Sequence, residues 1–205
     1  MGIQLGPLLE TRKIKVEELS GQRVAIDGYN VLYQFLTSIR QADGSLLTDS
    51  EGRVTSHLSG ILFRFSKLVE NGLKLCIVFD GKPPLLKKKL LEQRRQRKLK
   101  AQIEWEAAIE AGDTETARTK AQQTTRLESH MINESKKLLD LLGIPWVDAP
   151  SEGEAQVASL LNQGMVDYAA SQDFDTVLFG ASKFIQILSS GRNRYSIWEQ
   201  RQLSH

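Results

Sequence analysis

The sequence predicts an α/β fold with a mostly parallel central sheet flanked by helices, and three observations carry that prediction. Short apolar runs alternate with amphipathic helical patterns, as βαβ units require. Four of the runs give out into acidic residues, which puts the acids where an α/β sheet binds ligands, beyond the carboxyl ends of its strands. One segment, from Asp80 to about Arg126, breaks the alternation with polar helix-formers and reads as a cap projecting from the sheet.

Taken in order, the first strand is Val24-Ala25-Ile26, closed by Asp27. Val31, Leu32, Phe35, Leu36 and Ile39 then recur at helical spacing, and the Gly-, Asp- and Ser-rich stretch from Asp43 to Gly52 is a loop. Leu58, Ile61, Leu62, Phe65, Leu68 and Val69 make one apolar stripe on a helix that Gly72 stops. Leu75-Cys76-Ile77-Val78-Phe79 is the clearest strand and runs into Asp80. The turn Gly81-Lys82-Pro83-Pro84 opens the cap, whose polar helices are divided at Gly112-Asp113. Leu127, Met131, Leu138, Leu139 and Leu142 mark the next helix, ended by Gly143 and Pro145. Ile144-Pro145-Trp146-Val147 is a strand, and a helix from about Glu152 to Asn162 follows it, with Ser151 as N-cap and Glu154 closing a capping box. Tyr168-Ala169-Ala170 leads to Asp173-Phe174-Asp175, and apolar segments at Thr176–Phe179, Phe184–Leu188 and Tyr195–Trp198 predict further strands.

With 205 residues, 40% of them apolar and 25% charged, the chain reads as one soluble domain over residues 1–205 with its cap inserted at about 85–130. No apolar stretch approaches the length that crosses a bilayer, and the start lacks a basic region followed by an apolar core. A cytoplasmic protein without a membrane partner is therefore expected. The lone Cys76 lies in an apolar run and reads as a buried thiol in a reducing compartment. His57, His130 and His205 show no zinc spacing, so a hard cation held by oxygens is the better expectation.

Alone, an acid after an apolar run is usually a turn or cap residue. Asp27, Asp80, the Glu152/Glu154 pair and the Asp173/Asp175 pair recur after four candidate strands, and such a cluster would repel itself unless cations neutralised it. Residues two apart in an extended segment face the same way, which sets both carboxylates of a pair together. Two divalent ions suit phosphodiester hydrolysis, one at the attacking oxygen and one at the leaving oxygen. On the carboxylates alone, phosphatase and nuclease stay equally open. From Lys82 to Lys100 there are nine Lys or Arg residues against the single acid Glu92, and such a run is either a solvated helix face or an attractor for a polyanionic strand. Its start directly after Asp80 favours a nuclease. Tyr33 either stacks on a base or faces the core.

Met1-Gly2-Ile3-Gln4, Val24-Ala25-Ile26-Asp27, Tyr33-Gln34-Phe35-Leu36, Thr55-Ser56-His57-Leu58, Val78-Phe79-Asp80-Gly81-Lys82-Pro83-Pro84, Leu142-Gly143-Ile144-Pro145, Ala149-Pro150-Ser151-Glu152-Gly153-Glu154-Ala155 and Ser171-Gln172-Asp173-Phe174-Asp175 together resemble the flap endonuclease family, nearest its archaeal form. The resemblance runs from residue 1 to about 180. It implies a PIN-like 5′ nuclease core with a helical arch, cutting 5′ flaps on branched DNA in replication and repair, with possible 5′ exonuclease activity. It also implies two Mg²⁺ ions per site, with Mn²⁺ able to substitute. Asp27, Asp80, Glu152, Glu154, Asp173 and Asp175 would be the metal carboxylates, and Lys87 and Arg94 the catalytic contacts to the scissile phosphate. Tyr33 would stack on the unpaired nucleotide, and Gly2, Arg40, Arg64, Lys82, Lys88 and Arg95 would join it in binding DNA. The loop around Asp43–Arg53 would help to grip the 3′ flap of the upstream duplex.

Family members run well beyond this length. Relative to them the chain is expected to lack a further metal-site Asp, the helix-two-turn-helix that holds duplex DNA with K⁺, and the tail that binds the sliding clamp. The expected rivals to an active flap nuclease are a weakly active or inactive DNA-binding fragment and a general single-strand nuclease. Oligomeric state is not fixed by the sequence.

Overall fold

A computed structural model describes residues 11–41, 44–82, 88–113, 115–116, 119–120, 124–172, 175–187 and 195–199. Two compact units emerge, one of residues 1–31, 64–82 and 139–205, the other of 32–63 and 83–138.

The first unit holds a seven-stranded sheet: β1 (Arg12–Ile14), β2 (Arg23–Asp27), β3 (Lys74–Phe79), β4 (Trp146–Asp148), β5 (Tyr168–Ser171), β6 (Lys183–Ile187) and β7 (Tyr195–Glu199), in the order β1-β7-β6-β5-β2-β3-β4. The five strands β4, β3, β2, β5 and β6 are parallel, and β7 and β1 add an antiparallel edge. Continuous apolar runs form the centre because strands buried on both faces have no polar side to show. Val24, Ala25 and Ile26 on β2 and Ile77, Val78 and Phe79 on β3 are all buried. Arg23 opens β2 with a bidentate pair to Asp167, just before β5, which ties the starts of these neighbouring strands together.

Among the described residues the α-helices are α1 (Gly28–Ser38), α2 (Ser56–Gly60), α3 (Ser66–Glu70), α4 (Lys88–Glu110), α5 (Ser129–Leu141), α6 (Gly153–Asn162) and the single turn α7 (Asp175–Leu178). Val157, Ala158 and Leu161 of α6 pack with Ala25, Val78, Ala169 and Phe184 of the sheet, so α6 covers the central strands. In the second unit Phe35 is fully buried, and a Cβ on Gly60 would lie 2.2 Å from its ring, so only glycine lets α2 approach α1 this closely. Among the described residues no helix is long and apolar enough to cross a membrane.

Several expectations are corrected. Thr176–Phe179 is not a strand: α7 covers most of it, with Asp175 in its first turn. The edge strand β1 was not expected, since two exposed basic residues and one buried Ile make no pattern. Between α2 and α3, residues Ile61–Phe65 form a π-helical turn. Its wider winding shifts the stripe, leaving Leu62 and Val69 exposed rather than on the buried face. Cys76 is half-buried, and that burial pushes its thiol up. Cap residues 85–87, 114, 117–118 and 121–123, and the loop residues 42–43, lie outside the described residues.

Candidate active site

Four adjacent parallel strands deliver acids to one end of the sheet. Asp27 is the last residue of β2, and Asp80 follows the last residue of β3 directly. Glu152 and Glu154 flank the first residue of α6, after β4, and Asp175 begins α7, after β5. Strand polarity alone places all five on the same edge, because β4, β3, β2 and β5 are neighbours running in one direction. Asp173, expected in the same group, lies outside the described residues.

The expected capping box at the start of α6 does not form. Glu152 occupies the N-cap with no side-chain cap bond, and the Ser151 hydroxyl instead donates to the Lys82 carbonyl at 3.3 Å. The cap comes from across the sheet. Asp80 Oδ1 accepts the Gly153 N–H at 2.5 Å, one of the amides a helix N-terminus leaves without an internal partner. A carboxylate there is further favoured by the helix dipole. Gly153 is the residue that sequence reasoning passed over. A Cβ at this position would lie 2.7 Å from Asp80 Oδ1, so the absent side chain is what lets that carboxylate reach the helix end, while Asp27 Oδ1 at 3.7 Å would be in ordinary contact. The signal was present in the spacing, a glycine between two glutamates.

Asp27 is buried, and its Oδ1 accepts the Asn30 N–H at 3.0 Å. Burial pushes its carboxyl up to about 7 from the ordinary 3.8; the Asn30 amide opposes this, and the charges of Asp80 and Glu154 add to it. Asp175 Oδ1 is buried without a hydrogen-bond partner. An orphaned carboxylate oxygen and a carboxyl crowded by like charge are what a bound cation would relieve. Among the described residues no three His, Cys, Asp or Glu side chains form a group able to hold an ion unaided. Mg²⁺ takes one or two carboxylates and keeps several waters, so this all-oxygen donor set fits that class of ion without forming a closed protein cage.

Of the predicted DNA contacts, Lys82 is exposed two residues after Asp80. Arg64 is partly buried, which lowers its pKa, with Tyr195 acting against that shift. Arg40 donates to the Gly44 carbonyl at 2.7 Å and to the Thr125 hydroxyl at 2.6 Å, an engagement that braces its loop. Tyr33 is half-buried on α1, and its hydroxyl accepts from Lys98 at 2.9 Å. Gly2 and Lys87 lie outside the described residues, as do the side chains of Lys88, Arg94 and Arg95, although α4 carries all three.

Residues 1–101 match the XPG N-terminal domain and residues 143–204 the XPG I-region. Flap endonuclease 1 of Thermococcus onnurineus is 49% identical over 195 residues, which is 95% of this chain and 57% of the relative. The Caldivirga maquilingensis enzyme of the same name is 50% identical over 199 residues, again 95% and 57%. The chain thus spans a little over half the length of these curated relatives. Among solved structures, flap endonuclease-1 from Methanococcus jannaschii superposes with a TM-score of 0.73 at 41% identity, covering 97% of this chain and 63% of that one. The catalytic core of Rad2 in complex with DNA substrate gives a TM-score of 0.67 at 30% identity, covering 95% and 52%.

Proposed function

Because the chain belongs to the XPG family, we propose that it is the core of a Mg²⁺-dependent, structure-specific 5′ nuclease that cuts 5′ flaps from branched DNA in replication and repair. The observation that carries this reading is the delivery of acids from four adjacent strand ends to one edge, with Asp27 crowded and Asp175 carrying an orphaned oxygen. The flap endonuclease relatives and the DNA-bound Rad2 core support the choice of substrate.

Asp27, Asp80, Glu152, Glu154, Asp173 and Asp175 are assigned to hold two divalent ions. When bound, the ions would supply electrophilic activation of the scissile phosphodiester and would neutralise charge on the leaving oxygen. The protein's own contribution is preorganisation. The Gly153 N–H holds Asp80 and the Asn30 N–H holds Asp27, so neither carboxylate needs to be gathered at the moment of reaction. Lys87 and Arg94 are assigned to the scissile phosphate, as cationic donors to an anionic group. Tyr33 offers a ring for base stacking. Gly2, Arg40, Arg64, Lys82, Lys88 and Arg95 are assigned to the remaining DNA. Water adds to phosphorus as the bond to the 3′ oxygen breaks, leaving a 3′ hydroxyl and a 5′ phosphate.

The test compares end-labelled double-flap DNA with single-stranded DNA of the same sequence, each with Mg²⁺ or with EDTA. Mg²⁺-dependent cuts at the flap junction, absent in Asp175→Ala, are expected. Binding without cleavage would favour a DNA-binding fragment, and equal cutting of the single strand a general nuclease.

A further inference from the structure

Within the second unit Lys98 of the arch helix α4 reaches Tyr33 of α1. Lys98 Nζ donates to the Tyr33 hydroxyl at 2.9 Å while standing 4.9 Å from the ring centroid. The ammonium is much nearer the oxygen than the ring centre, so it sits toward the hydroxyl end of the ring and not above its middle. A base stacks on a face. Lys98 therefore grips Tyr33 at its hydroxyl end and leaves the face away from the ammonium uncovered by it.

The backbone beneath the ring is fixed. Leu32, Phe35 and Leu36 of α1 are buried, and the Tyr33 carbonyl accepts the Thr37 hydroxyl at 3.0 Å. What remains free to swing is the Tyr33 side chain, half-buried about its Cα–Cβ and Cβ–Cγ bonds. A charge-assisted hydrogen bond at the far end of the ring restrains that swing most effectively, since it acts at the longest lever arm. The ammonium gains as well, because over the ring at 4.9 Å from its centroid it lies within range of a cation–π attraction.

We propose that Lys98 is the positioning residue of the stacking platform: it holds the Tyr33 ring at one orientation, anchored at the hydroxyl, with the face away from the ammonium presented to the nucleotide beside the cut. This rests on the assignment of Tyr33 as the stacking residue. The partner of Lys98 is a protein ring, and its effect on DNA passes through that ring.

The experiment uses the full chain and double-flap DNA carrying 2-aminopurine at the nucleotide next to the junction, in EDTA so that no cleavage occurs. Stacking on an aromatic side chain is read as a change in 2-aminopurine fluorescence at saturating protein. Tyr33→Leu is expected to abolish the change. Tyr33→Phe keeps the ring and every charge but loses the hydroxyl, and it should reduce the change about as much as Lys98→Met does. The double variant should be no worse than either single one, and Lys98→Arg, which keeps a cationic donor, should retain most of the signal. Circular dichroism and melting confirm that each variant is folded. If Tyr33→Leu leaves the signal intact, the stacking role falls and the proposal with it. If Tyr33→Leu abolishes the signal while Tyr33→Phe is silent, or Lys98→Met acts equally in Tyr33 and Tyr33→Phe backgrounds, Lys98 does not work through the ring and the proposal alone is overturned.

Discussion

Asp27→Asn in metal-free protein should raise stability at alkaline pH, although it removes a residue assigned to the metals. Asp27 titrates near 3.8 in an unfolded chain and is pushed up to about 7 in the fold, first by burial and then by the charges of Asp80 and Glu154. Between those values the native state holds a proton that the unfolded state has released. Stability from this group is therefore fully present below about pH 3.8 and is lost as pH rises through about 7. A difference of about 3 units corresponds to at most about 4 kcal/mol, and relaxation around the carboxylate makes ~2 kcal/mol the working figure. For a chain of this size ~2 kcal/mol moves the melting temperature by roughly 4–8 °C. Asparagine keeps the acceptor for the Asn30 N–H, 3.0 Å away, and carries no charge at any pH. The assay is thermal melting in EDTA from pH 5 to 8. Wild type should lose stability relative to Asp27→Asn as pH rises, and Mg²⁺ at pH 8 should restore the wild type by binding only the folded state. Parallel pH profiles for the two proteins, or a variant less stable than wild type at pH 8 in EDTA, would refute the reasoning.

Gly153→Ala should leave the fold nearly intact yet weaken Mg²⁺ dependence, because its methyl lies 2.7 Å from a movable carboxylate oxygen of Asp80. An unchanged Mg²⁺ midpoint for cleavage would contradict this. Gly81→Ala meets backbone instead, the Ala149 carbonyl at 2.1 Å, so urea unfolding should show a loss of about 1–3 kcal/mol; a change below ~0.5 kcal/mol would count against it. His57 is fully buried, with Nε2 3.0 Å from Glu134 and Nδ1 without a partner, and burial lowers its pKa below 6.5 against the raising effect of Glu134. Its contribution is present above pH 6.5 and is lost as pH falls through the lower folded value. His57→Gln should therefore lose less stability than wild type between pH 7.5 and pH 5, and identical acid sensitivity in the two proteins would exclude the assignment.

Much of this site was legible because strand polarity does the gathering. A continuous apolar run such as Leu75–Phe79 announces a buried parallel strand, and the acid after it is then bound to lie at the ligand-binding edge. What sequence could not supply was contact between distant residues. Ser151 and Glu154 matched a capping box, but the amide of Gly153 is met by Asp80, 73 residues away. Thr176–Phe179 had strand-like composition, yet Asp175 starts a helical turn and Leu178 and Phe179 stay exposed, so no second face is buried. The π turn at Ile61–Phe65 left no trace in periodicity and rotated Leu62 and Val69 out of the stripe that their spacing assigned them. Tyr33 was readable as a ring for either core or base; its tether to Lys98, 65 residues on, required the fold.

The most direct measurement is the single-turnover rate of junction cleavage on double-flap DNA as Mg²⁺ is titrated, for wild type and Asp175→Ala. A carboxylate-held metal centre predicts a rate that is absent in EDTA, rises to saturation with Mg²⁺ in the wild type, and stays at background in the variant throughout. Cleavage that persists in EDTA, or that Asp175→Ala leaves unchanged at every Mg²⁺ concentration, would contradict the account.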